Sequence, residues 1–238
     1  MFKFVYGFTM AEVLITLGVI GIVAAMTLPA VINNSRNKQL EAGLKRSYSV
    51  ISQALDMYQA ETGERITSQN IGYRKLKQIL LEYLKTAQDC GWGYEGSGSA
   101  ANITNNSCIK HYQDSSEDDT TYKNYIASNN INLALFDDGQ FVLNDGSLIL
   151  VENYGPNNPL YISVDVNGYN KNPNRLGHDL FMFEIDNKGK LIPMGVEGSK
   201  YYNKDSLYCS PTFANNLNGA GCTYKALTDK DYFKNLPK

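Results

Sequence analysis

The residue types able to do chemistry in this 238-residue chain are few and widely spaced. Its four cysteines, Cys90, Cys108, Cys209 and Cys222, form no CxxC pair and stand beside no histidine at metal-ligand spacing. They read as disulfides made in an oxidising compartment. Four cysteines allow three connectivities. The local pairs Cys90 with Cys108 and Cys209 with Cys222 are expected, since each closes a loop in a stretch without regular pattern. The two histidines, His111 and His178, lie far apart with no Ser or Cys partner motif, and G-x-S-x-G, H-E-x-x-H and G-x-x-x-x-G-K are all absent. No catalytic residue is therefore expected, and the chain reads as a non-enzyme. Asp165, Asn167 and Asp179, with Asn170 and Asn174 around Gly168, offer the oxygen ligands that calcium prefers. The full calcium-loop spacing and its closing glutamate are missing, and these residue types also form ordinary turns. Glu12 is the most informative residue: one carboxylate at the lip of an uncharged run from Val13 to Ile32.

That run, taken as a helix rising about 1.5 Å per residue, reaches roughly 30 Å and can span a bilayer. A cleaved secretory signal would explain Lys3 and a weak cleavage site at Val23-Ala24-Ala25. Its apolar core normally runs about 7–15 residues, however, and has no reason to begin beside an acid. A plain membrane anchor needs apolar length alone. After Asn33-Asn34-Ser35 the residues Leu40, Leu44, Tyr48, Ile51, Leu55 and Tyr58 recur at three- and four-residue steps, which predicts an amphipathic helix ended near Gly63. The spacing predicts a second helix over 75–87 and loops over 91–130, with Glu117, Asp118 and Asp119 as a solvated acidic turn. From Ile131 onward short apolar runs alternate with turn pairs: NLALF, Asp138-Gly139, QFVL, Asp145-Gly146, SLILVEN. These predict hairpins, and Leu160–Val164, Leu180–Ile185 and Leu191-Ile192 extend them into an antiparallel sheet of four or five strands. Trp92, close to Cys90, reads as cover for a disulfide, and the 17 tyrosines read as packing under loops and at sheet edges. With 22 basic against 24 acidic residues the net charge is −2, so no basic field draws nucleic acid to the chain.

The continuous stretch Gly7-Phe8-Thr9-Met10-Ala11-Glu12-Val13-Leu14-Ile15-Thr16-Leu17 resembles the processing and methylation motif of type IV pilins and type II secretion pseudopilins. The resemblance covers residues 1 to about 35. It implies cleavage between Gly7 and Phe8 by a prepilin peptidase, N-methylation of Phe8, and an assembly role for Glu12, the fifth residue counted from Phe8. Pro29 matches the proline that recurs near the far end of the family's apolar helix. The implied organisation is a leader (1–7), a transmembrane and filament-core helix (8–32), its amphipathic continuation (33–62) and an α+β head (63–238). The fold class implied is the type IV pilin one, a long helix packed on a small antiparallel sheet with disulfide-stapled loops. Implied partners are other pilin or pseudopilin subunits, the prepilin peptidase, the inner membrane and the assembly platform of a secretion or pilus machine. Major pseudopilins use a calcium-stabilised loop, which makes Asp165, Asn167 and Asp179 the candidate ligands here. Arg36, Lys38, Lys45 and Arg46 follow the span while the leader carries Lys3 alone, a distribution that by charge would keep the head inside. The cysteines and the leader motif instead place the head in the periplasm or outside the cell. The function expected is a structural filament subunit. A membrane-tethered extracytoplasmic binding protein that never polymerises is the alternative, and a tethered hydrolase lacks its motifs.

Overall fold

The structure, a computed structural model, describes residues 7, 9–92, 108–109, 122–131, 135–204 and 207–237. His111 and the Glu117, Asp118 and Asp119 turn lie outside the described residues, as do Lys3 and Phe8. Contacts divide the chain into two compact units, residues 1–39 and 40–238.

Helix α1 runs from Met10 to Thr62 with Pro29 inside it. A proline at an interior position has no N–H to give, so the carbonyl of Ala25 loses its helical donor. From Met10 to Ile32 every residue is exposed, and the helix is long and apolar enough to cross a membrane. The picture changes at Leu40. Leu40, Leu44, Ser47, Ile51, Ala54 and Leu55 are buried at helical spacing, and Tyr48 stacks on Phe183 with ring centroids 5.5 Å apart. The helix stops where Gly63 takes a left-handed φ of 78° and gives its N–H to the Gln59 carbonyl at 2.8 Å, a conformation that glycine adopts without side-chain strain.

The second helix, α2, spans Lys75–Tyr83 and is shorter than its periodicity predicts. Leu84 turns extended, and Thr86–Asp89 forms strand β1. Threonine, glutamine and aspartate suit a short, mostly exposed edge strand better than a helix end. Five strands follow: β2 (Gln140–Leu143), β3 (Leu148–Glu152), β4 (Leu160–Asp165), β5 (Leu180–Ile185) and β6 (Leu191–Pro193). They form one six-stranded sheet in sequence order, antiparallel throughout. The Asp145-Gly146 hairpin joins β2 to β3 as its residues predict. Asp138-Gly139 does not join NLALF to β2: Leu135 and Phe136 lie outside any strand, and β1 is the strand paired with β2 on that side.

Both faces of the sheet are covered. Ile149, Val151, Leu160, Ile162, Val164, Phe181 and Phe183 pack with Leu44, Ile51, Leu76 and Leu80 from the two helices. The opposite face, Leu148, Leu150, Tyr161, Leu180 and Met182, packs with Cys90, Cys108, Tyr122, Phe136, Met194 and Ala220 from loops. Burial on both sides explains why β3, β4 and β5 read as near-continuous apolar runs and not as strict alternation. A short helix, α3 (Thr223–Thr228), follows Cys222, and Thr223 Oγ1 accepts the Met182 N–H at 3.0 Å beside the loop-covered face.

Candidate functional site

The sequence-predicted residues fall into separate places. At the start of α1, Gly7 is exposed with no atom within 4 Å of where a Cβ would stand, so the backbone there is open to an approaching group. Phe8 itself lies outside the described residues. Thr9 and Glu12 bond reciprocally. Thr9 donates its N–H and its hydroxyl to Glu12 Oε2, both at 2.8 Å, and Thr9 Oγ1 accepts the Glu12 N–H at 3.2 Å. This is a capping box, in which two otherwise unpaired donors of the first helical turn are satisfied. Its Thr-x-x-Glu signature is legible in the sequence, where Glu12 stands out for its charge and for its place as the fifth residue counted from Phe8.

The cations beyond the apolar run are partly held by the chain itself. Lys45 pairs with Glu41 at 2.5 Å, and Arg46 pairs with Asp145 of the β2–β3 turn at 2.7 Å.

The disulfides are Cys90–Cys108 and Cys209–Cys222. In each, one sulfur partner is fully buried (Cys90 and Cys222, both 0% exposed). Trp92 faces two cations: the Arg74 guanidinium lies 5.4 Å and the Lys77 ammonium 4.7 Å from its ring centre. His178 is a buried residue, with Nε2 2.9 Å from the Tyr125 carbonyl.

Asp165 and Asp179, the calcium candidates, are fully buried and brace the connection from β4 to β5. Asp165 Oδ2 accepts the Tyr122 hydroxyl at 2.5 Å, and its Oδ1 accepts the N–H groups of Asn167 and Gly168. Asp179 accepts the N–H groups of Asn174 and Arg175 at 2.8 and 2.7 Å. Burial and then the neighbouring Asp179 push the Asp165 carboxyl up to about 7. Gly168 has φ 84°, and a Cβ there would lie 2.4 Å from the Gly146 carbonyl oxygen, so a glycine is required where these two turns meet. The amides of Asn167 and Asn174 donate to backbone carbonyls of the same loop, while their Oδ1 atoms are buried with no hydrogen-bond partner. Carboxylate and amide oxygens are the ligand types that a hard cation takes.

A second acidic group was not anticipated. Asp137, Asp138 and Glu152 bring one carboxylate oxygen each within 4.8 Å of one another. Burial, then the charge of Asp138, pushes Glu152 up to about 9, and burial pushes Asp137 up to about 6. Asp137 and Asp138 are neighbours in sequence, but the approach of Glu152 depends on strand register. The Asp138 N–H donates to the Val151 carbonyl and the Val151 N–H to the Gly139 carbonyl.

No protein-family model matches the chain, and neither do any of the curated proteins or solved structures compared with it. The chain combines a sheet-and-helix unit holding two disulfides with an exposed apolar helix long enough to span a membrane.

Proposed function

We propose that the chain is a structural subunit of the type IV pilin kind, a pseudopilin or minor pilin, that assembles through its N-terminal helix into a filament of a secretion or pilus machine. The observation that carries this reading is Glu12 in the first turn of an apolar helix that starts three residues after Gly7 in the sequence. That helix leaves every residue from Met10 to Ile32 exposed. Such a surface requires lipid, other copies, or both in succession. The long helix, the antiparallel head and the two disulfides support the same reading. So does the absence of a recognised catalytic motif in the sequence.

In this mechanism a peptidase at the cytoplasmic face of the inner membrane cuts after Gly7 and the new Phe8 amine is methylated. The head lies in the periplasm or outside the cell. An ionised Glu12 at the lipid edge costs roughly 2.5–3.5 kcal/mol on insertion scales unless neutralised. The capping box with Thr9 hydrogen-bonds the carboxylate within one subunit without cancelling its charge, and the Phe8 ammonium of a neighbouring subunit supplies the opposite charge in the filament. A misplaced subunit leaves both charges unpaired, which sets the axial register.

Two measurements test the reading. Intact-mass analysis of the membrane form is expected to give a chain starting at methylated Phe8, and a cut near Ala25 removes the proposal. Glu12→Leu is expected to insert and be processed normally yet be nearly absent from sheared filament fractions. Wild-type incorporation of that variant leaves the N-terminus as an anchor and favours the tethered binding protein.

A further inference from the structure

Asp138, Asn153 and Arg74 join the start of α2 to the β2–β3 hairpin. Arg74 Nε donates to Asp138 Oδ1 at 2.7 Å, and Asp138 Oδ2 accepts the Asn153 N–H at 2.9 Å. Asn153, fully buried, accepts the Arg74 N–H with its carbonyl and the Leu76 N–H with Oδ1, both at 3.0 Å. The Leu76 N–H belongs to the first turn of α2, where no helical acceptor exists. The joint is therefore what caps this helix. Arg74 itself is held with a left-handed φ of 55°.

Against this joint stand Asp137 and Glu152, which with Asp138 bring one carboxylate oxygen each within 4.8 Å of one another. Glu152 Oε2 is buried without a hydrogen-bond partner. Three carboxyl groups face one guanidinium in a cluster where Arg74 is 14% and Asp138 3% exposed at the side chain. Other titratable groups around it are Tyr73 beside Arg74, Tyr161 opposite Glu152 on β4 and Tyr201 after β6, and the buried Lys77, whose stem packs against Gly139 while its ammonium pairs with Asp89. Glu184 on β5, across from Tyr161, is a further acid. Carboxylates this close in half-buried surroundings oppose one another's ionisation.

We propose that Asp137 and Glu152 hold one proton between them, and that this proton keeps the start of α2 fastened to the β2–β3 hairpin, so that the joint loosens as the pH rises. Glu152 ionises above its ordinary range in the folded head, because burial and the two aspartates oppose its charge. The joint is then fully made below the ordinary carboxylate range near 4.3. Its stability is lost progressively as the pH rises from there through about 9. With one proton involved, the equilibrium constant for opening rises by up to about tenfold per pH unit across that window. The surface governed by the joint is the exposed pair Tyr73 and Tyr154, whose rings meet edge to face at 6.1 Å while Arg74 lies over Tyr73 at 5.0 Å.

The test is amide exchange on the full chain in detergent micelles from pH 5.5 to 8.5, corrected for intrinsic exchange. In the wild type, protection at Arg74 and Leu76 is expected to fall by up to about tenfold per pH unit, ahead of the β4–β5 amides. Glu152→Gln, which keeps a donor toward Asp137 and cannot ionise, is expected to flatten that dependence and to exceed wild-type protection at pH 8. Asp137→Asn is expected to reduce the slope as well, and gives the answer if the glutamine variant fails to fold. An unchanged slope in the variant that folds overturns the proposal. So does a wild-type protection at pH 6.5 that rises with added Ca²⁺ or Mg²⁺ while Glu152→Gln does not respond, because a metal ion is then the compensating charge.

Discussion

Helix α1 has two stretches in opposite circumstances. Between Met10 and Ile32 no residue is buried, while between Leu40 and Leu55 six are. The sequences show why. Val13–Ile32 is apolar all round and carries no charge, so no face is distinguished as the one to bury. Beyond Leu40 the apolar residues are confined to one stripe, with Glu41, Lys45 and Arg46 off it, and that stripe meets the sheet through Tyr48, Leu44 and Ile51. The two stretches differ both in apolar content and in how it is distributed around the helix. Together these differences separate the part that needs an outside partner from the part whose partner is in its own chain.

The largest expected effects come from breaking each stretch separately. Ile20→Asp places a charge in the middle of the exposed stretch at roughly 2.5–3.5 kcal/mol. It is expected to reduce the carbonate-resistant membrane fraction about a hundredfold and to leave the melting of the head unchanged. Leu44→Ala empties a fully buried position and is expected to cost the head about 2–5 kcal/mol, read from its denaturation midpoint, with membrane partition unchanged. If Ile20→Asp destabilises the head as much as Leu44→Ala does, the two stretches are not independent and the contrast fails.

The disulfides sharpen the contrast within the head. One face of the sheet is covered by helices, whereas the other is covered by irregular segments that include both Cys90 and Cys108. A helix retains its own hydrogen bonds when packing weakens; an irregular loop does not. Replacing Cys90 and Cys108 together by serine removes a cross-link spanning 18 residues, worth about 3 kcal/mol on the chain-entropy model. For a head of this size that corresponds to a fall in melting temperature of about 6–12 °C by calorimetry. Cys209 and Cys222, separated by 13 residues, are expected to give a slightly smaller fall. A pair whose removal leaves melting unchanged is not what holds its loop in place.

This division also governs what was legible beforehand. Helical periodicity gave the second half of α1 and the core of α2, uncharged apolar length gave the first half of α1, and apolar runs between turn pairs gave strands β2 to β6. These signals missed β1, where Thr86–Asp89 buries almost nothing and is recruited by the edge of β2. They missed the second cover of the sheet for the converse reason. Tyr122, Phe136 and Met194 come from segments with no period, so nothing local marks them as core. Among the site residues, the Thr9–Glu12 bonding spans three positions and was readable as a motif. The meeting of Asp137 and Asp138 with Glu152 was not, since it is created by the register of β3 against the start of β2.

The smallest expected effect concerns the turn that the same kind of long-range folding produces around Asp165. Asp165 and Asp179 already accept backbone N–H groups and one tyrosine hydroxyl, so the loop has a scaffold of its own. A cation there adds to an existing structure, unlike a metal that must organise a site from an unfolded chain. The unpartnered Oδ1 atoms of Asn167 and Asn174 are what a calcium ion gains as ligands beyond the two carboxylates. At a free concentration about ten times its Kd the ion stabilises the head by about 1.4 kcal/mol, or about 3–6 °C in melting temperature. Removing calcium with a chelator is expected to lower the melting temperature of the wild type by that amount. Asp179→Asn keeps an acceptor for the Asn174 and Arg175 amides while removing the charge, and is expected to make melting insensitive to chelator. Identical melting of the wild type with and without chelator leaves Asp165, Asn167 and Asp179 as the braces of a turn, and places the whole stability of the head in its packing and its two disulfides.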